Sequence, residues 1–289
     1  MILKFADAHT HTNPVSGMGM KTVAKRFRDL GGWFLAIVSL PPSHYGLPPT
    51  LEGYRKSYEI LLRECSVARE FGLQVACIVG IHPADVEKLV TRTSPSRYRD
   101  LIELYTRVLN VIEELLRNGA VQGLGEFGRP HYRANPEAFA LNEFITIRAL
   151  ELAKDYNVPI HIHCEQSGDI AVKSLKVLAK LVGIDKRLVV IHHADTKTLI
   201  SASRAGFSCT VLGRYELLKS LISQGVDPVF MIESDHIDDP RRPGVAAYPW
   251  EIVESQRRLL DEGLVNEDYL QRINVENIRR VYRHIDSVY

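Results

Sequence analysis

Short runs of apolar and β-branched residues recur along the chain, and a longer stretch with helically spaced apolar positions follows each of them. Eight such runs stand out: ILKFADAH from Ile2, WFLAIVSL from Trp33, LQVACIVGI from Leu73, VQGLGEF from Val121, VPIHIHC from Val158, LVVIHHA from Leu188, FSCTVLG from Phe207 and PVFMIES from Pro228. Between them lie amphipathic patterns such as KTVAKRFRDL, EGYRKSYEILLRECSVAREF, RDLIELYTRVLNVIEELLRNG and NEFITIRALELAKDYN. Strands that are apolar on both faces need cover on both faces, so the alternation predicts a parallel sheet sheathed in helices. Eight units with one strand each predict a closed (β/α)8 TIM barrel. An open doubly wound sheet is disfavoured, because no GxGxxG turn follows the first run. No linker or charge block interrupts the pattern, and a single domain over residues 1–289 is expected. The Pro-rich stretch LPPSHYGLPPTLEGY follows the second run and is expected to hang over the barrel mouth, as a lid or a rigid connector.

Composition narrows the picture. With 289 residues, 45% of them apolar, the chain has ample material for one large core. Its 36 Lys+Arg against 35 Asp+Glu leave a net charge of +1, which excludes strong overall attraction to polyanions or anionic membranes. Any nucleic-acid contact is therefore expected to be local. Four widely spaced cysteines (Cys65, Cys77, Cys164 and Cys209) form no CxxC pair, and are expected to be reduced, mostly buried thiols. Neither a signal peptide nor a membrane span is visible in the sequence, so a cytoplasmic location without membrane partners is expected.

The chemistry lies at the ends of the strands, where barrel enzymes place their catalytic residues. His9 and His11 end the first strand in DAHTH, Glu126 the fourth in GLGEFG and His163 the fifth in PIHIHC. His192 and His193 end the sixth in VVIHHA, and Asp235 the eighth in IESD. Because strand side chains alternate, His9 and His11 are expected to project together and clasp one ion. By the same rule His192 and His193 point apart, and His192 is taken as the ligand. Imidazoles and carboxylates suit zinc, manganese, iron or cobalt, whereas a magnesium site would contain more oxygen. Four histidines and two carboxylates exceed one tetrahedral ion and suit two divalent ions sharing a bridging carboxylate, with Glu126 as the bridge. Asp235 is the expected proton acceptor for the attacking water. His161, one layer deeper than His163, is expected to steady a ligand or fill the core.

Taken in order, H-x-H, GIHP (Gly80 to Pro83), GEFG, P-x-x-x-H, H-H and E-S-D span nearly the whole chain, which resembles the TatD-like hydrolases of the metal-dependent amidohydrolase superfamily. That resemblance implies an amidohydrolase-like (β/α)8 barrel and metal ligands at His9, His11, Glu126, His163, His192 and Asp235. It also implies hydrolysis of DNA phosphodiester bonds. Two departures bear on substrate. The family often carries G-L-D where this chain has Gly128, Arg129 and Pro130, and H-S-R where it has His163, Cys164 and Glu165. An expected phosphate-binding arginine is thereby lost, and Arg129 is a candidate replacement, with His82 and Glu165 as further substrate contacts. Single-stranded DNA, cut from an end, is the expected substrate. A lactone, amide or phosphotriester of small size is the alternative, and a metal-binding scaffold without turnover the remote one.

Overall fold

Among the described residues of the computed structural model, eight parallel strands form one sheet, in chain order: β1 (Phe5–Thr10), β2 (Gly32–Val38), β3 (Gln74–Val79), β4 (Gly123–Gly128), β5 (Ile160–His163), β6 (Val189–Ile191), β7 (Ser208–Leu212) and β8 (Met231–Glu233). The structure describes residues 3–130, 132–166, 168–241 and 246–283, so Ile2 of the first expected strand lies outside it. Each strand pairs in parallel with the next. The chain beyond β8 returns to β1, where Asp235 N donates to His9 O at 3.0 Å and His11 N donates to His236 O at 2.8 Å. The result is the (β/α)8 barrel that the alternation of apolar runs implies.

Helices α1 (Gly19–Asp29) and α2 (Leu51–Glu70) follow the first two strands, and both α3 (Pro83–Arg92) and α4 (Tyr98–Arg117) follow β3. Then come α5 (Pro136–Asp155), α6 (Asp169–Val182), α7 (Thr196–Ala205), α8 (Tyr215–Ser223) and α9 (Pro249–Asp261). The chain continues through α10 (Glu267–Gln271), a π-helical turn (Arg272–Glu276) and α11 (Asn277–Val281). Strand alternation divides the core into two layers. Phe34, Ala36 and Val38 of β2 and Ala76 and Ile78 of β3 fill the barrel interior. Their neighbours Leu35, Ile37, Val75, Cys77 and Val79 join the layer beneath the helices. Tyr282, just past α11, belongs to the interior cluster and packs its ring 4.9 Å from that of Phe34.

Cys65 on α2 and Cys77 on β3 are paired as a disulfide, which corrects the expectation of four free thiols. Packing of α2 onto β3 brings their Cα atoms within 6.2 Å although 12 residues separate them. Cys164 and Cys209 are free and buried. Among the described residues no helix is long and apolar enough to cross a membrane.

Candidate metal centre

Glu126 leaves β4 at the C-terminal mouth, almost wholly buried, and imidazoles surround it. Its Oε1 lies 3.2 Å from His9 Nε2 and 3.1 Å from His11 Nε2. Its Oε2 lies 3.0 Å from His163 Nδ1, 2.9 Å from His192 Nε2 and 3.4 Å from His82 Nε2. Each oxygen of one carboxylate thus faces its own group of ring nitrogens. Asp235 sits at the rim of the first group, with Oδ1 3.8 Å from His11 Nε2, and its side chain keeps 26% of its surface open to the mouth.

Close approach of two backbones positions this carboxylate. A Cβ added to Gly80, the glycine of GIHP, would stand 2.3 Å from Gly125 C and 2.8 Å from Glu126 N. Only a residue without a side chain lets the end of β3 pass so near the end of β4. Two residues on, His82 opens α3: its Nδ1 accepts from Ala84 N at 3.1 Å, Pro83 follows at the first helical position, and Nε2 is left to face Glu126. His82 therefore holds the turn and lines the site at once.

His193 departs from expectation. Strand β6 stops at Ile191, and His193 has a positive φ of 42°, so side-chain alternation no longer applies beyond the strand end. Both imidazoles enter the site, and His193 Nε2 lies 3.3 Å from His163 Nδ1. Two further carboxylates brace the cluster from below, and neither was assigned from sequence. Glu233 is fully buried and its Oε1 accepts from His193 N at 2.6 Å. Asp7 accepts from Ser234 N at 2.9 Å and from the Ser234 hydroxyl, tying β1 to β8. Each lies two residues before a candidate ligand, at the same strand parity, which is the signal that points to them.

Arg129 and Glu165, expected as substrate contacts, are not brought to the mouth. The Arg129 guanidinium spans the Glu143 carboxylate, with Nε to Oε2 at 3.0 Å and Nη2 to Oε1 at 2.8 Å, and Nη1 reaches Glu165 at 3.3 Å. Arg129 N donates to His163 O, which fixes the backbone while the side chain turns outward to α5 and α6. The cavity over the cluster, about 410 Å³, is lined instead by His44, His82, Lys88 and Tyr132 beside apolar Leu40, Pro41 and Ile237. Leu40, Pro41 and His44 come from the Pro-rich stretch, which does stand over the mouth.

Electrostatics suit cation binding. Burial alone would raise the Glu126 pKa, but His192, His82, His11 and His163 outweigh it and hold the carboxyl well below its ordinary value. Burial pushes His192 well below the usual imidazole range, His82 down to about 3 and His193 to about 4. An anionic carboxylate beside neutral His82, His192 and His193 is the state a divalent ion requires of its ligands, whereas at His11 the cost of burial is outweighed by the hydrogen bond to Glu126 together with the charges of Glu126 and Asp235, and the pKa is raised. Among the described residues, His192 Nδ1 and Glu233 Oε2, 3.8 Å apart, are buried without hydrogen-bond partners. Two overlapping groups, His9–His11–Glu126–Asp235 and His82–Glu126–His163, keep their donor atoms within 4.8 Å of one another, as do His163–His192–His193. These donors fit divalent transition ions.

A parallel eight-stranded barrel that gathers imidazoles round a buried carboxylate at its C-terminal mouth has the architecture of metal-dependent hydrolases. The chain belongs to the TatD related DNase family, whose model matches residues 6–283. It is 30% identical over 284 residues to the uncharacterized protein MJ1127 of Methanocaldococcus jannaschii, covering 97% of this chain and 96% of that one. Over 200 residues it is 29% identical to the uncharacterized metal-dependent hydrolase MJ0761 of the same organism, covering 67% and 66%. Among solved structures it is similar to YJJV, a TatD homologue from Escherichia coli K12, with a TM-score of 0.66 at 17% identity over 98% of this chain and 99% of that one.

Proposed function

We propose that the protein hydrolyses phosphodiester bonds in DNA with two divalent ions, working from the end of a single strand. The observation that carries this reading is the division of Glu126, one oxygen toward His9 and His11 and the other toward His163 and His192. His9, His11 and Asp235 would hold one ion, His163 and His192 the other, with Glu126 between them and His193 beside the second. Bound there, the ions supply Lewis acidity and a nucleophilic water at neutral pH.

Every other part falls to the chain's own side chains. Asp235 reaches both the ligand cluster and the open mouth, so its carboxylate accepts the proton of the attacking water and returns it to the leaving oxygen. Lys88, exposed at the mouth, provides the phosphate-binding cation that Arg129 does not. Tyr132 offers an aromatic face on which a base can stack. A cavity of about 410 Å³ is the size of a site for one small ligand, which favours a strand end over a duplex.

Hydrolysis of end-labelled single-stranded DNA, matched duplex and a panel of esters, lactones, amides and phosphotriesters tests the proposal with zinc, manganese, magnesium or cobalt supplied. Mononucleotides are expected from single strands, and Asp235→Ala is expected to abolish their release. Robust Asp235-dependent turnover of a lactone, amide or phosphotriester without any cleavage of nucleic acid would reassign the substrate. Absence of turnover with every metal and substrate would leave a metal-binding scaffold.

A further inference from the structure

We propose that Tyr282, at the closed end of the barrel, fixes His9 as a metal ligand by setting the direction of a buried hydrogen-bond chain that runs through His161. The proposal rests on the reading of His9 as a ligand through Nε2. From the mouth downward, His9 Nδ1 lies 2.8 Å from His161 Nδ1, and His161 Nε2 lies 2.6 Å from the Tyr282 hydroxyl. That hydroxyl lies 3.4 Å from Ala8 O. All three side chains are buried, His9 and His161 completely.

Only one assignment of hydrogens is consistent with ligation. A neutral imidazole carries one N–H, and a metal takes the lone pair of the other nitrogen. If His9 Nε2 ligates, His9 Nδ1 keeps the hydrogen and donates it to His161 Nδ1. His161 then carries its own hydrogen on Nε2 and donates to the Tyr282 oxygen. The phenol, now an acceptor, is left with its hydrogen directed to Ala8 O. In the opposite direction His161 would donate to His9 Nδ1, placing the His9 hydrogen on Nε2, where it blocks the metal. Tyr282→Phe removes the acceptor for His161 Nε2–H and leaves that group facing a phenyl ring in the apolar cluster that Tyr282 shares with Phe34, Ala8 and Val190. His161 then gains by moving its hydrogen to Nδ1, the arrangement that disables His9.

The experiment combines zinc titration against a chromophoric chelator with nitrogen-15 spectra of the histidine rings. Zinc-loaded wild type is expected to show His161 as the Nε2–H tautomer. Tyr282→Phe is expected to keep the wild-type circular dichroism but to bind zinc about 10- to 100-fold more weakly, the usual cost of losing a group that orients a ligand. Its His161 signal should shift toward Nδ1–H. Phe34→Leu, which disturbs packing beside Tyr282 without touching the chain, should leave zinc affinity and tautomer unchanged. An Nδ1–H His161 in the zinc-loaded wild type would overturn the proposal without any variant having to fold. Unchanged affinity in Tyr282→Phe would overturn it too. Failure of the wild type to bind zinc, manganese or cobalt would instead remove the metal centre itself, and this inference with it.

Discussion

Replacing Gly80 by alanine should damage the metal centre from outside it. The new Cβ would stand 2.3 Å from Gly125 C and 2.4 Å from Gly125 O, about 1 Å inside an ordinary contact, and both atoms belong to backbone. Flexible side chains could yield, but here β3 and β4 must separate at their C-terminal ends. Overpacking of this kind costs about 1–3 kcal/mol. At roughly 2–4 °C per kcal/mol, the thermal midpoint should fall by roughly 2–12 °C. Because Glu126 follows Gly125 directly, the carboxylate moves with the strand, and metal affinity should fall together with stability. Gly123→Ala on the same strand is the control, since its Cβ would meet Pro159 and Ile78 at 3.2–3.3 Å, which requires only a small adjustment. Differential scanning fluorimetry and metal titration on both variants decide the matter. Wild-type stability and affinity in Gly80→Ala would refute the idea that this contact sets the position of Glu126.

His192→Ala should abolish binding of one ion, whereas His193→Ala should weaken it more modestly; equal metal content in His193→Ala and wild type would show that His193 only fills space. Arg129→Met should destabilise the protein by about 1–3 kcal/mol, because Glu143 and Glu165 lose a charged partner, while leaving KM unchanged. Lys88→Met should do the reverse, raising KM for oligonucleotides with little effect on the thermal midpoint; steady-state kinetics and thermal denaturation of the two variants check both statements.

All eight strands were legible in the sequence because a buried parallel strand leaves a compact apolar signature, and none of the eight runs is without its strand. His9, His11, Glu126, His163, His192 and Asp235 were equally legible as a group, since barrel topology alone brings strand ends together, and the structure gathers them at one mouth. Alternation failed at His193 because it is a property of extended backbone, and the chain turns there with positive φ. Arg129 was misplaced for a related reason: its backbone lies next to the site, but its long side chain can reach two acidic residues on the outer side. The Cys65–Cys77 pair and the contact of Tyr282 with His161, 121 residues away, depend on how elements pack, which no local pattern records. Glu233 and Asp7 carried a faint signal in their parity with the candidate ligands.

Elemental analysis of protein equilibrated with zinc or manganese, comparing wild type with Glu126→Gln, is the most direct test of a two-ion centre bridged by Glu126. An uncharged amide bridges two cations poorly, so wild type should hold close to two ions per chain and the variant clearly fewer, with activity lost in parallel. Equal metal content and equal activity in the two proteins would contradict the account.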